Sequence, residues 1–97
     1  MTSYDLERLE VWNKSRELVS DIYKLIIPIL PETEKFNLIA QMRRAATSIP
    51  SNIAEGYGRF YYQSNIHFCY IARGSLEELI SQIVLAHDHG YLSNDLF

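Results

Sequence analysis

The sequence predicts an all-α protein, an antiparallel up-and-down helical bundle of the four-helix type. Two observations carry that expectation. Every strong apolar period along the chain is helical, with apolar residues returning at steps of three and four. The strongest breakers cluster at a few places, Pro28 with Pro31, Gly56 with Gly58, and Gly90, and leave long segments between them. No linker, repeat or low-complexity tract divides the 97 residues, so one helical-bundle domain over residues 1–97 is expected.

The first helix is expected over about residues 5–27, ended by Pro28 and Pro31. Trp12, Val19, Tyr23 and Ile26 form one apolar stripe on it, and Val11, Leu18, Ile22, Leu25 and Ile29 form a second, displaced around the axis. Laid out at about 100° per residue, the two cover an arc of roughly 200°. The core of one bundle needs less than that. The second stripe therefore faces either a fourth helix or a neighbouring subunit.

The second helix is expected over about 34–57, with Thr33 as candidate N-cap and Gly56 and Gly58 as its stop. Leu38, Ile39, Met42, Ala45, Ala46, Ile49, Ile53 and Ala54 mark its buried side. Pro50 deletes the bond to the carbonyl of Ala46 and is expected to kink it. The third helix is expected over about 65–89, stopped by Gly90. Gly74 inside it costs about 1 kcal/mol relative to Ala, which points to close packing of Ala72, Gly74 and Ser75 against Ala45, Ala46 and Ala54, with the Ser48 and Ser75 hydroxyls bonding across or back to carbonyls. Ser93-Asn94-Asp95 has the form of a cap, with a fourth helix starting near 94. Only Leu96 and Phe97 follow, so that helix is expected to be truncated or missing.

Polar residues lie close to the buried side of the second helix. Arg44, Ser48, Asn52, Glu55 and Arg59 follow one another at steps of three or four, a stripe read as an internal ion-pair ladder. A catalytic base at Glu55 would need a nucleophile with an adjacent His, and the sequence offers none. A structural role is the expectation, with a cost of roughly 3 to 5 kcal/mol when a buried pair is broken from one side.

Composition sets the remaining limits. At this length only roughly 60 to 65 per cent of the unfolded surface is buried on folding, so association between subunits would add needed stability. Nine Lys and Arg against twelve Asp and Glu give a net charge of −3, the reverse of the footprint of a protein that grips phosphates widely. A local basic cluster of Lys35, Arg43, Arg44, Arg59 and Arg73 still offers candidate nucleic-acid contacts at Arg43, Arg59 and Arg73. Arg59 among Tyr57, Phe60, Tyr61 and Tyr62 would suit base stacking. Given the acidic balance, a subunit interface is the preferred reading of those tyrosines.

The lone Cys69 has no cationic neighbour in sequence and is read as a packed thiol. It excludes an internal disulfide, and with no leader pattern at the start a reducing cytoplasm is expected. The apolar run Leu25 to Leu30 is too short to span a bilayer. His87-Asp88-His89 points its imidazoles to different helix faces, and Glu77 and Glu78 lack the Glu-x-x-His spacing of di-iron bundles. No catalytic residue, metal, cofactor or small-molecule substrate is therefore assigned.

Two motifs carry a resemblance. The first combines Gln41, Arg43-Arg44, Ala45-Ala46, Ser48-Ile49, Asn52-Ile53-Ala54-Glu55-Gly56 and Arg59, and the second is Ala72-Arg73-Gly74-Ser75-Leu76-Glu77-Glu78-Leu79. With Leu9 to Trp12 and Gly90-Tyr91 they resemble the bacterial four-helix-bundle family of 23S ribosomal RNA intervening-sequence proteins, the S23 ribosomal protein-like group. The similarity covers nearly the whole chain and extends to the accessory variability proteins of diversity-generating retroelements. It implies a homopentamer of four-helix bundles, a last helix after Asp95, and a place for Glu78 beside the polar ladder.

The functional expectation is a non-enzymatic, self-associating bundle acting as an assembly or adaptor module. Val11, Leu18, Leu25, Tyr61 and Tyr62 are its candidate oligomer interface. The alternative is an RNA- or nucleoprotein-binding accessory factor.

Overall fold

The computed structural model describes residues 6–58 and 62–95, the side chains of residues 62–64 excepted. It is all-helical: among the described residues there are three α-helices and no strand. The expected helix start at Asp5 and the roles expected of Arg59, Phe60, Tyr61 and the Tyr62 side chain lie outside them. Among the described residues no helix is long and apolar enough to cross a membrane.

Helix α1 runs Glu10–Asp21 and then changes pitch, widening to a π turn over Ile22–Ile26 and tightening to a 3-10 turn over Ile27–Ile29. The cause is Pro28, which has no N–H and whose ring would collide with the carbonyl four residues earlier. Beyond Asp21 the advance is no longer about 100° per residue, and the two expected stripes come apart. Ile22, Ile26 and Ile27 are buried, whereas Leu25 and Ile29 are exposed. The start is tied by Asn13, whose amide donates to the carbonyls of Glu7 and Leu9.

The connection holds Pro31 extended and closes a 3-10 turn over Glu32–Glu34. Thr33 lies within that turn, so the residue preceding the helix is Asn37 instead. Helix α2 spans Leu38–Tyr57, starting later than expected. The turn turns Leu38 and Ile39 inward while Phe36 stays outside. The helix is continuous through Pro50 and through Gly56, with Gly58 as its C-cap.

Helix α3 spans Tyr62–Asp88 and begins before the expected residue 65. At about 1.5 Å per residue it sets the long dimension of a body 44 × 23 × 23 Å. Gly90 stops it at φ +77, with Tyr91 N–H donating to Ala86 and Gly90 N–H to His87, the arrangement of a Schellman cap. Leu92 then buries against the core, and Asn94 and Asp95 form a turn. The fourth helix expected near 94 has no counterpart among the described residues.

The two later helices pack antiparallel. Gly56 approaches Asn65 and Phe68, while Ser48 meets Ser75. A Cβ on Gly56 would lie 3.1 Å from Phe68 Cβ and 3.2 Å from the Asn65 carbonyl oxygen, so this glycine permits contact rather than ending the helix. Met42 and Leu79 fill the centre, with Ala45, Ala46 and Ala86 among the buried small residues.

The expected close approach at Gly74 is not found, because a Cβ there would meet nothing within 4 Å. Gly74→Ala is therefore expected to stabilise the chain by about 1 kcal/mol, raising the melting temperature by roughly 4–8 °C. Thermal unfolding followed by circular dichroism measures this. A loss of stability would mean that another chain needs the bare backbone.

Candidate functional site

The polar stripe of α2 grades from core to solvent. Beyond the buried arc that ends at Ala45, Asn52 stands about 20°, Ser48 about 60°, Glu55 about 80° and Arg44 about 100° further round. Asn52 and Ser48 are half-buried, and Glu55 and Arg44 are exposed. The expectation of an ion-pair ladder held inside is thus corrected: the long charged side chains are on its outer edge. Arg59 lies outside the described residues.

The inner part is a neutral hydrogen-bond node. Asn52 Nδ2 donates to the carbonyl and to Oγ of Ser48, both at 2.8 Å, and Ser48 Oγ lies 2.8 Å from Ser75 Oγ. Since Ser48 Oγ accepts from Asn52, its own proton is available to Ser75, which joins α2 to α3. Glu78 is exposed on α3 and accepts from Gln82 Nε2 at 3.2 Å. Gln82 is buried, and its Oε1 has no hydrogen-bond partner, a cost of about 1–3 kcal/mol.

The other titratable candidates are dispersed. His87 Nε2–H donates to Asn94 Oδ1 at 2.7 Å, and His89 Nδ1 is 2.9 Å from the Leu85 carbonyl oxygen. No group of three His, Cys, Asp or Glu able to hold a metal occurs among the described residues. Cys69 was read as packed, and the structure exposes it. It stands on a groove wall with Arg73, one turn along α3, and Lys14 of α1, a setting visible in sequence only as the Cys69 to Arg73 spacing.

That groove lies between α1 and α3 over a floor from α2. It has a volume of about 390 Å³ and is lined by Val11, Lys14, Ser15, Leu18, Ile49, Ile53, Cys69, Ala72, Arg73 and Leu76. Val11 is 54% exposed and Leu25, further along α1, 53%; Leu18 is half-buried and packs on the core. The opposite wall continues outward through Leu76, Ile80 and Val84, all exposed. These α3 residues were missed, although their spacing of four is a legible stripe beside Ala72, Leu79 and Ala86.

The candidate nucleic-acid contacts do not converge. Arg73 lines the groove and pairs with Glu77 at 3.4 Å, whereas Arg43 sits against Tyr23, its Cζ 5.7 Å from the ring centroid. Two further cations lie over aromatic rings, Arg16 over Trp12 at 4.9 Å and Lys35 over Phe36 at 5.5 Å. Sequence spacing showed neither the Arg43–Tyr23 pair, which joins two helices, nor its neighbourhood to Phe36.

A family model described as 23S rRNA-intervening sequence protein matches residues 7–97. No curated protein matches the chain.

Proposed function

The chain belongs to the 23S rRNA-intervening sequence protein family, and from that premise we propose a non-enzymatic helical-bundle protein that self-associates as an assembly or adaptor module. The observation that supports this reading is the apolar groove between α1 and α3, lined by Val11, Leu18 and Leu76, together with exposed Leu25, Ile80 and Val84 outside its lining. Apolar surface collected in this way marks an interaction face. Completion of a four-helix bundle and contact with neighbouring copies both call on it, and the pentamer implied by the resemblance is the assembly we favour, in a reducing cytoplasm.

Light scattering at micromolar concentration tests the reading. The expected result is a single species several times 11.3 kDa, and a monodisperse monomer would overturn it.

A second reading, an RNA- or nucleoprotein-binding accessory factor, is favoured by the cations held over aromatic rings. With a net charge of −3, tight sequence-independent binding to duplex is not expected at physiological salt. Submicromolar duplex binding that fell steeply with added salt would put this reading first.

A further inference from the structure

The connection into α2 and the first turns of that helix line a second cavity of about 430 Å³, which shares no residue with the groove. Its lining is apolar at Ile27, Leu30, Ile39 and Ala40, and it also carries Lys35, Phe36 and Arg43 with one carboxylate, Glu32. Phe36 is 89% exposed, the most exposed of the large apolar side chains among the described residues. Its backbone is nevertheless held, because Lys35 N–H donates to Glu32 and Asn37 N–H to Glu34. Among the described residues the ring's one cation contact is Lys35, and no apolar group covers it, so a large phenyl surface is left in water beside the cavity.

The charges around the ring are arranged to match. Lys35 Nζ lies over Phe36, and Arg43, also in the lining, lies over Tyr23. Among the described residues Arg43 meets no carboxylate at ion-pair distance. Lys35 pairs with Glu32 at 3.8 Å, but both side chains are exposed, and such a pair yields readily to a competing anion. The same cavity thus presents an exposed aromatic face for a flat ring and two cations for an attached anion.

We propose that this cavity binds one nucleotide, its base stacked on Phe36 and its phosphate held by Arg43 and Lys35. A duplex does not fit that description, since its bases are stacked on one another and the cavity has room for a single splayed base. The source is either a free mononucleotide or an unpaired position of a single strand. The inference is independent of self-association.

The test is fluorescence anisotropy with a labelled, unstructured RNA oligonucleotide at low salt, with adenosine monophosphate as competitor. Saturable binding is expected, with log affinity falling against log salt at a slope no steeper than about −1.4, the value for two phosphate-neutralising cations on a single strand. Phe36→Ala is expected to weaken it roughly 5- to 100-fold, Phe36→Trp to preserve it, and Arg43→Gln to flatten the salt slope. Equal displacement by the mononucleotide identifies the free nucleotide as the ligand, and much tighter binding of the oligonucleotide identifies the strand. Absence of saturable binding, or unaltered binding by Phe36→Ala, overturns the proposal. A fall in assembly mass on Phe36→Ala also overturns it, by assigning the ring to a contact between copies.

Discussion

Met42→Ala is expected to remove about 2–5 kcal/mol of stability, a large share of the roughly 5–15 kcal/mol that a domain of this kind holds. Met42 is 0% exposed in the middle of α2, and among the described residues the other large side chain so fully enclosed is Leu79, at 1% on α3. The truncation loses the transfer energy of the removed atoms and leaves a cavity between two long helices that cannot close without shifting both. Leu79→Ala is expected to behave alike. Leu85→Ala, on an exposed position of the same helix, is expected to stay within about 0.5 kcal/mol. Urea unfolding at one fixed protein concentration is the measurement, since self-association would couple stability to concentration. A shift in midpoint at constant slope is expected for Met42→Ala, and equal midpoints for Met42→Ala and Leu85→Ala would show that α2 and α3 are not the centre of the core.

Leu25→Glu is expected to convert the assembly to a folded monomer. Leu25 lies in the π turn, exposed in the single chain, so a carboxylate there stays in water and the helices keep their signal in circular dichroism. Against a neighbouring subunit the same carboxylate would be buried without a partner, at a cost of several kcal/mol per copy. Val11→Glu is expected to act in the same direction. Leu18→Glu separates less cleanly, because Leu18 packs on the core and its replacement disturbs the fold along with the interface. Light scattering and circular dichroism on the same samples distinguish these cases. An unchanged mass for Leu25→Glu would place the assembly face elsewhere, most directly on Leu76, Ile80 and Val84.

Features local to one helix were legible in the residues alone. The spacing of Leu38, Ile39, Met42, Ala45, Ala46 and Ile49 named the buried side of α2, and all six are buried, because a helix turns its residues at a constant angle wherever nothing disturbs the ladder. Gly90 as the stop of α3 was legible for the same reason: the left-handed conformation it adopts is a property of one residue. The long segments between breakers were readable as helices, although their ends moved by several residues at Leu38 and Tyr62.

Only the tertiary structure decided the rest. Pro28 changed the pitch ahead of itself, so the arc predicted at constant angle for α1 failed beyond Asp21 and left Leu25 outside. Gly56 and Gly74 look alike in sequence, yet one sits against Phe68 and Asn65 and the other faces open space. The contact of Ser48 with Ser75, 27 positions away, was legible from the small residues around both, but the division of the stripe into a half-buried node and exposed charges was not. The meeting of Arg43 with Tyr23, and the cavity that Phe36 overhangs, likewise depend on which helix lies beside which. Periodicity reports the faces of a single helix, whereas contact between faces is set by packing across the chain, and no local spacing encodes it.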